Sequence, residues 1–123
     1  MRIIISESSN VPIYEQIVRQ IKDGIISQDL TPDEPLPSIR SLAKDLQISV
    51  ITTKRAYEEL EGEGMVYSLP GKGFYVSPRK VEMLKEKKLQ MIEDAVLNVI
   101  REGKAVGMGA EELKGMIDVL WDE

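Results

Sequence analysis

The sequence predicts an α+β fold, in which a domain of short helices and one hairpin precedes a pair of helices. Between Leu36 and Val76, two helical runs separated by a short break are followed by two strand-like segments around a turn. The 123 residues suffice for about one domain and an appendage. The order helix, tight turn, helix, hairpin predicts a winged helix-turn-helix domain over residues 1–77, and the remaining helices predict a dimerisation tail over residues 78–123.

The first helix is expected to hold Pro12 in its first turn, where the missing N–H of proline costs nothing. Its apolar residues recur every four positions and predict a wide buried face. They are Ile13, Ile17, Ile21 and Ile25. Upstream, the isoleucines from Ile3 to Ile5 predict a short strand. Downstream, a loop with prolines from Gln28 to Pro35 leads to the next helix.

The next two helices are expected to begin at serine N-caps. Ser38 and Ser49 each precede a helical run, and a serine hydroxyl accepts a hydrogen bond from a backbone N–H two or three residues later. Ile48, in the break, is expected to pack between the two helices. The buried faces are expected to hold Ile39, Leu42, Ala43 and Leu46 in the first run and Thr53, Ala56, Tyr57 and Leu60 in the second.

The opposite face of the second helix carries an apolar pair, Val50 and Ile51, beside Thr52, Lys54 and Arg55. An outward Val-Ile pair is unusual for a surface that meets only water. It suits contact with the methyl groups of thymine, while Thr52 suits a hydrogen bond to a base or phosphate and Lys54 suits guanine or the backbone. The alternative is that Val50 and Ile51 are partly buried under a neighbouring loop.

The hairpin is expected to follow a helix end closed by glycine within residues 61–64. Its strand-forming segments are Met65–Tyr67 and Phe74–Val76. The turn between them contains a Pro-Gly pair followed by Lys72, which is therefore expected at the tip of the hairpin.

Charge is the global feature that argues against nucleic acid as the partner. Lys and Arg number 16 against 21 Asp and Glu, so the net charge is −5. The acidity lies mostly in the tail, because residues 1–80 carry a net charge of −1 and residues 81–123 a net charge of −4. Within residues 40–55, four basic side chains face one acidic one, so that a local positive patch survives. The alternative function is a protein-interaction adaptor on a winged-helix scaffold without DNA binding.

The tail is expected to contain two amphipathic helices, one from about residue 79 to 106 and one from Ala110 to Trp121, separated by Gly107–Gly109. Two helices cannot bury both of their apolar stripes by themselves, so the expected partner is a second copy of the chain. The expected dimerisation residues are Leu84, Leu89, Ile92, Val96, Val99, Leu113, Ile117, Leu120 and Trp121.

Composition excludes several classes of function. The chain has no Cys and no His, which excludes disulfides, thiolate chemistry and histidine-bearing metal sites. The sequence shows no paired carboxylates around an apolar pocket, no phosphate-binding glycine loop and no nucleophile motif, so no enzymatic activity, cofactor or metal is expected. The N-terminus is too short for a signal peptide and no apolar run approaches membrane-spanning length, so a cytoplasmic protein without membrane contact is expected.

Four motifs in order resemble the GntR family of bacterial transcription regulators. They are residues 12–17, Pro-Ile-Tyr-Glu-Gln-Ile; residues 36–40, Leu-Pro-Ser-Ile-Arg; residues 54–61, Lys-Arg-Ala-Tyr-Glu-Glu-Leu-Glu; and residues 71–76, Gly-Lys-Gly-Phe-Tyr-Val. Because only a short helical tail follows, the chain looks most like the YtrA subfamily. It departs from the family at Gln47, where many members have glycine, and at Val50 and Ile51, where many have asparagine or arginine.

A two-fold dimer through the tail is expected to bind double-stranded operator DNA with inverted-repeat symmetry, and repression is expected because a dimer on a promoter blocks polymerase. The resemblance implies control of genes for an ABC-type transporter. It implies that Arg40 approaches the DNA and that Lys72 contacts the minor groove or backbone; the alternatives are a solvated arginine and a lysine that only keeps the turn soluble. The expected DNA-contacting residues are Ser38, Arg40, Ser49, Val50, Ile51, Thr52, Lys54, Arg55, Gly71, Lys72 and Gly73. No residue identifies a small-molecule effector.

Overall fold

The computed structural model describes residues 1–78 and 81–123, and its architecture confirms the α+β class. Its elements, in chain order, are α1 (Ile13–Ile26), α2 (Ile39–Leu46), α3 (Val50–Gly62), β1 (Val66–Leu69), β2 (Gly73–Val76), α4 (Val81–Ala105) and α5 (Ala110–Leu120). The chain divides into two compact units, Met1–Leu84 and Lys85–Glu123, which we call the winged-helix unit and the tail unit. The helix α4 begins in the first and continues into the second.

The core of the winged-helix unit lies where α1, α2 and α3 meet the hairpin. The isoleucine repeat of α1 supplies Ile17, Ile21 and Ile25, all at most 2% exposed. The helix α3 contributes Ala56, Tyr57 and Leu60, and the strands contribute Val66 and Val76. Tyr57 packs edge-on against Phe74, with the ring centres 5.1 Å apart. The predicted buried face of α3 is therefore confirmed.

Both predicted serine caps are present. The Ser38 hydroxyl accepts from the Ser41 backbone N–H at 3.0 Å, and the Ser49 hydroxyl accepts from the Thr52 backbone N–H at 3.0 Å. Each hydroxyl satisfies a backbone donor that has no partner within its helix. Pro12 lies at the N-cap of α1 and not inside its first turn, although its carbonyl accepts the first helical hydrogen bond, from Gln16.

The turn between α2 and α3 passes through Gln47, which adopts the left-handed conformation with φ 56° and ψ 45°. Its N–H bonds the carbonyl of Lys44, and the Ile48 N–H bonds the carbonyl of Ala43 at 3.0 Å. Ile48 then packs against the core as predicted. This backbone geometry is the one that glycine adopts without strain, so it fits the glycine that the resemblance implied at this position.

The hairpin is antiparallel, with Val66 opposite Val76 and Leu69 opposite Gly73. The loop before α2 runs along β2 and extends its hydrogen bonding: the Leu36 N–H donates to the Phe74 carbonyl and the Val76 N–H to the Glu34 carbonyl, both at 2.9 Å. The loop before α2 thereby pairs with β2 between Phe74 and Val76.

The predicted strand at residues 3–5 is wrong. The segment is irregular, and the Ile4 backbone pairs with the side-chain amide of Gln20, which accepts from the Ile4 N–H at 2.9 Å and donates to the Ile4 carbonyl at 2.7 Å. Gln16 binds the backbone of Ser6 in the same way. Because side chains of α1 satisfy this backbone, the isoleucines need no partner strand, and Ile3 and Ile5 pack against the core.

The winged-helix unit extends farther than the expected boundary at residues 77 and 78. Val81 and Leu84, in the first turn of α4, pack against its hydrophobic core, and Leu84 is only 8% exposed. Leu84, which we expected on the dimerisation face, is therefore buried within its own chain. The predicted start of α4 near residue 79 lies outside the described residues.

In the tail unit, α4 and α5 contact each other through Leu113, which packs over Gly103. A Cβ added at Gly103 would stand 3.1 Å from a Leu113 methyl carbon, so the absence of a side chain there permits the close approach. The helix α5 begins as predicted at Ala110, where the Glu112 carboxylate accepts from the Gly109 N–H at 3.4 Å. It ends at Leu120, so that Trp121 is the first residue beyond the helix.

Candidate nucleic-acid interface

The exposed face of α3 begins with two apolar side chains. Val50 is 45% exposed and Ile51 is 80% exposed, while Thr53, two positions later, is completely buried. The alternative of partial burial is therefore wrong for Ile51, whereas about half of the Val50 side chain is covered. The helix is fixed by its buried stripe, and its first turn projects Val50 and Ile51 to the outside of the winged-helix unit.

The hydroxyl groups beside this pair take part in the cap. Ser49 Oγ accepts from the Thr52 N–H and also donates to Thr52 Oγ1 at 2.7 Å. The Ser49 hydroxyl thus uses its proton inside the protein, and only Thr52 keeps a hydroxyl proton for an outside acceptor. The sequence placed both residues at the interface, and the structure places them in one small network at the helix start.

Two basic side chains follow one turn farther along α3. Lys54 Nζ lies 3.7 Å from a Glu58 carboxylate oxygen, in an ion pair whose side chains are both more than half exposed. Such a pair is weak, because water screens both charges, so Lys54 can exchange Glu58 for a phosphate. The Arg55 guanidinium stacks on the ring of Tyr14 in α1, 3.8 Å from its centre.

Arg40 and Lys44 lie on the exposed side of α2. Together with Lys54 and Arg55 they form the positive side of the helix-turn-helix, and within residues 40–55 only Asp45 opposes them. This excess of positive charge suits a polyanion, since each lysine or arginine can neutralise one phosphate.

The hairpin tip presents Lys72 between two glycines in conformations that side chains rarely adopt. Gly71 has φ 73° and Gly73 has φ 96°, and open space surrounds the position of a Cβ at both. Lys72 is exposed, its N–H donates to the Leu69 carbonyl at 2.9 Å, and its carbonyl accepts from the Tyr75 hydroxyl at 3.2 Å. The glycines thus shape a tight turn, and their lack of side chains leaves room for a close backbone approach.

Sequence reasoning missed Tyr14 as a member of this interface. Its ring, in the first turn of α1, lies half-buried under Arg55. Tyr14 belongs to the first of the four motifs and Arg55 to the third. The sequence therefore showed an aromatic residue in one motif and a basic residue in another. It did not show that the two motifs meet in the fold.

The tail unit exposes a broad apolar surface. Of the residues expected to mediate dimerisation, those about half exposed or more are Leu89, Ile92, Val96, Val99, Ile117, Leu120 and Trp121. Leu113 is half-buried against α4. Further exposed apolar residues, outside the set expected to mediate dimerisation, are Met91, Leu97, Val106, Met116 and Val119. Among residues 1–78 and 81–123, no helix is long and apolar enough to cross a membrane.

Comparison with known proteins identifies the family. The family described as "Bacterial regulatory proteins, gntR family" matches residues 13–76. The HTH-type transcriptional repressor YtrA of Bacillus subtilis (strain 168) is 36% identical over 109 residues, which cover 89% of this chain and 84% of YtrA.

Solved structures agree with this assignment. A GntR family transcriptional regulator from Listeria monocytogenes superposes with a TM-score of 0.75 at 29% identity, covering 94% of this chain and 99% of that one. AraR(DBD) in complex with operator ORR3 superposes with a TM-score of 0.53 at 25% identity, covering 63% of this chain and 93% of that one. The chain therefore belongs to the GntR family of bacterial regulatory proteins, in its YtrA subfamily, and is a DNA-binding transcription regulator and not an enzyme.

Proposed function

We propose that the chain is a homodimeric transcription repressor that acts in the cytoplasm on an operator with inverted-repeat symmetry. The observation that carries the proposal is the exposed face of α3, where Val50, Ile51 and Lys54 project from a helix fixed by a buried stripe. In a helix-turn-helix the second helix enters the major groove with its N-terminal residues against the base edges. The wing tip at Lys72 is the second contact of the proposal.

The apolar surface of the tail unit supports the dimer. Ile117, Leu120 and Trp121 are all more than half exposed, and an exposed apolar area of this kind marks an interaction surface. A second copy of the chain supplies an equivalent apolar surface, and a two-fold interface requires such a self-complementary patch. A two-fold dimer reads a DNA site with the same symmetry, which leads to the inverted repeat.

Repression is favoured by the similarity to YtrA, which is described as a transcriptional repressor. It also needs the least machinery, because a dimer bound over a promoter blocks polymerase without further contacts. The resemblance to the YtrA subfamily extends the proposal to the genes of an ABC-type transporter as the regulated genes.

The test is a selection of bound fragments from pooled genomic DNA by the purified chain, repeated over a series of salt concentrations. The expected result is enrichment of a short inverted repeat, with an affinity that falls steeply as salt rises because bound phosphates release counterions. The identity of the genes beside the enriched repeat then tests the transporter assignment. Enrichment of no fragment at any salt concentration contradicts DNA recognition and favours the adaptor.

Paired substitutions test the contacts. Lys54→Ala and Arg40→Ala are expected to weaken operator binding and to lower the salt dependence by about one counterion each, whereas the matched control Lys114→Ala in α5 is not. Ser49→Asp keeps an N-cap acceptor but places a carboxylate on the proposed DNA face, so it should weaken binding while Ser49→Asn does not. Equal binding by the aspartate and asparagine variants would argue against DNA at the start of α3.

A further inference from the structure

We infer that the protein reads its operator half-site through the C5 methyl groups of thymine, which Val50 and Ile51 contact in the major groove. The inference rests on the proposed operator binding and specifies the bases at the centre of recognition. Ile51 is 80% exposed and Val50 is 45% exposed, and both lie in the first turn of α3.

The chemistry of the major groove leaves one partner for an apolar side chain. Base edges there present hydrogen-bond donors and acceptors, except for the methyl group of thymine, which is the one apolar feature of the four standard bases. An isoleucine placed against a guanine or cytosine edge would bury polar groups without partners and lose binding free energy. An isoleucine placed against a thymine methyl removes two apolar surfaces from water at once.

The polar groups near the N-terminus of α3 are mostly engaged within the protein and leave little capacity to hydrogen-bond the bases. Ser49 Oγ is used twice within the cap, by the Thr52 N–H and by Thr52 Oγ1. Arg55 is stacked on Tyr14, one turn away from Ile51. The first turn of α3 therefore offers a hydroxyl proton on Thr52 and two apolar side chains, with no arginine or asparagine at positions 50 and 51.

Charge complementarity identifies DNA as the occupant of this apolar face. Four basic side chains and one acidic side chain lie within residues 40–55, although the whole chain has a net charge of −5. An apolar pair in a segment with an excess of basic residues suits a groove with methyl groups on its floor and phosphates along its edges. An apolar protein partner would not require this local reversal of charge.

The test replaces each thymine of the selected operator half-site by uracil, one position at a time. Uracil lacks the C5 methyl group and keeps every hydrogen-bonding group of thymine. The expected result is that uracil weakens binding about fourfold at one or two positions, which is the effect of losing one buried methyl-sized group. Because no charge changes, the slope of affinity against salt should stay the same, whereas Lys54→Ala should lower it by about one.

Variants of the protein show which side chain contacts the thymine methyl group. In Ile51→Ala or Val50→Ala, the uracil operator should bind as well as the thymine operator at the position which that side chain contacts. Ile4→Ala serves as the matched control, because Ile4 is also exposed and lies in the N-terminal segment, and it should keep the full uracil effect. Far-UV circular dichroism and urea unfolding establish that each variant is folded.

The outcomes separate this inference from the proposed function. An operator that binds equally well with uracil at every position overturns methyl reading and leaves the regulator intact. A uracil effect that persists unchanged in both Ile51→Ala and Val50→Ala also overturns it, since another side chain then contacts the methyl. A selection that enriches no operator overturns the proposed function, and this inference with it.

Discussion

The guanidinium carbon of Arg55 lies 3.8 Å from the centre of the Tyr14 ring, so a cation–π contact connects α3 to α1. An ion pair between Lys22 of α1 and Glu63 at the end of α3 joins the same two helices at another point. The helix α3 is therefore held by the buried isoleucines of α1 and by these two contacts outside the core. A planar guanidinium stacked on a ring also has less freedom to lose in any further contact.

The Tyr14 ring should stabilise the fold through this contact. Tyr14→Leu is expected to lower the free energy of unfolding, whereas Tyr14→Phe, which keeps the ring, should lower it much less. A double-mutant cycle with Arg55→Met should give a coupling energy of about 0.5–1 kcal/mol for the Tyr14–Arg55 pair. The measurement is urea unfolding of the four proteins of the cycle. A coupling energy of zero would show that the stacked geometry contributes nothing to stability.

Gln47 is strained, since a residue with a side chain at φ 56° has its Cβ close to the following carbonyl oxygen. Gln47→Gly should raise the free energy of unfolding by up to about 1 kcal/mol, because relief of that strain exceeds the added entropy of glycine in the unfolded chain. Gln47→Ala is the control and should give no such gain, because alanine has the same Cβ. Equal stabilities of the glycine and alanine variants would contradict the strain.

Local features of the fold could be predicted from the sequence because their causes are local. A cap needs only Ser38 or Ser49 and a backbone N–H three residues later, and the buried face of α3 follows from helical spacing. The contact between Tyr14 and Arg55 could not be predicted, since it depends on how α1 crosses α3. The prediction of a strand at Ile3–Ile5 was wrong for a related reason. Composition indicates strand propensity, but it does not reveal that glutamine side chains of α1 form hydrogen bonds with this backbone.

The apolar stripe of α4 gives a further example. Helical spacing shows which residues share a face, but it does not show where along the helix one neighbour ends and another begins. Leu84 and Ile92 belong to the same predicted stripe, yet Leu84 is buried in the winged-helix core and Ile92 is half exposed. The exposure of Val50 and Ile51 could be predicted, because it follows directly from the buried stripe on the other side of α3.

Leu84 and Ile117 should therefore affect different properties. Leu84→Ala is expected to lower the free energy of unfolding by about 2–5 kcal/mol, as truncation of a buried leucine does, without weakening self-association of the folded chain. Ile117→Asp is expected to weaken self-association and to leave the winged-helix unit folded, because Ile117 is 53% exposed.

Urea unfolding and sedimentation equilibrium measure the two properties separately. Met83→Ala is the matched control for the core, since Met83 is the neighbour of Leu84 and is 54% exposed, and it should cost little. If Leu84→Ala dissociated a folded dimer, the original assignment of Leu84 to the dimer face would be restored. If Ile117→Asp left self-association unchanged, the dimer would have to use another surface.

Tyr57 should make the fold sensitive to alkali. It is completely buried, its hydroxyl donates to the Pro37 carbonyl at 2.7 Å, and burial raises the pKa of its phenol well above the ordinary value. In the unfolded chain the Tyr57 phenol loses its proton at about pH 10, whereas in the folded chain it keeps the proton to a higher pH. The contribution of Tyr57 to stability is thus complete below that pH and is lost as the pH rises toward the folded-state pKa. Between these two pKa values, the free energy of unfolding is expected to fall by about 1.4 kcal/mol per pH unit.

Urea unfolding from pH 8 to about 11 tests this slope, with the lower limit chosen below the ordinary tyrosine pKa. Tyr57→Phe should be less stable at neutral pH by about 1 kcal/mol, since the Pro37 carbonyl loses its donor, and should show a slope smaller by one proton. Tyr67→Phe is the comparison: its hydroxyl donates to Asp33 at 2.8 Å, a bond that raises the pKa of Tyr67 at an accessible site. A slope that is the same in Tyr57→Phe and the unsubstituted chain would show that the buried phenol does not control unfolding in alkali.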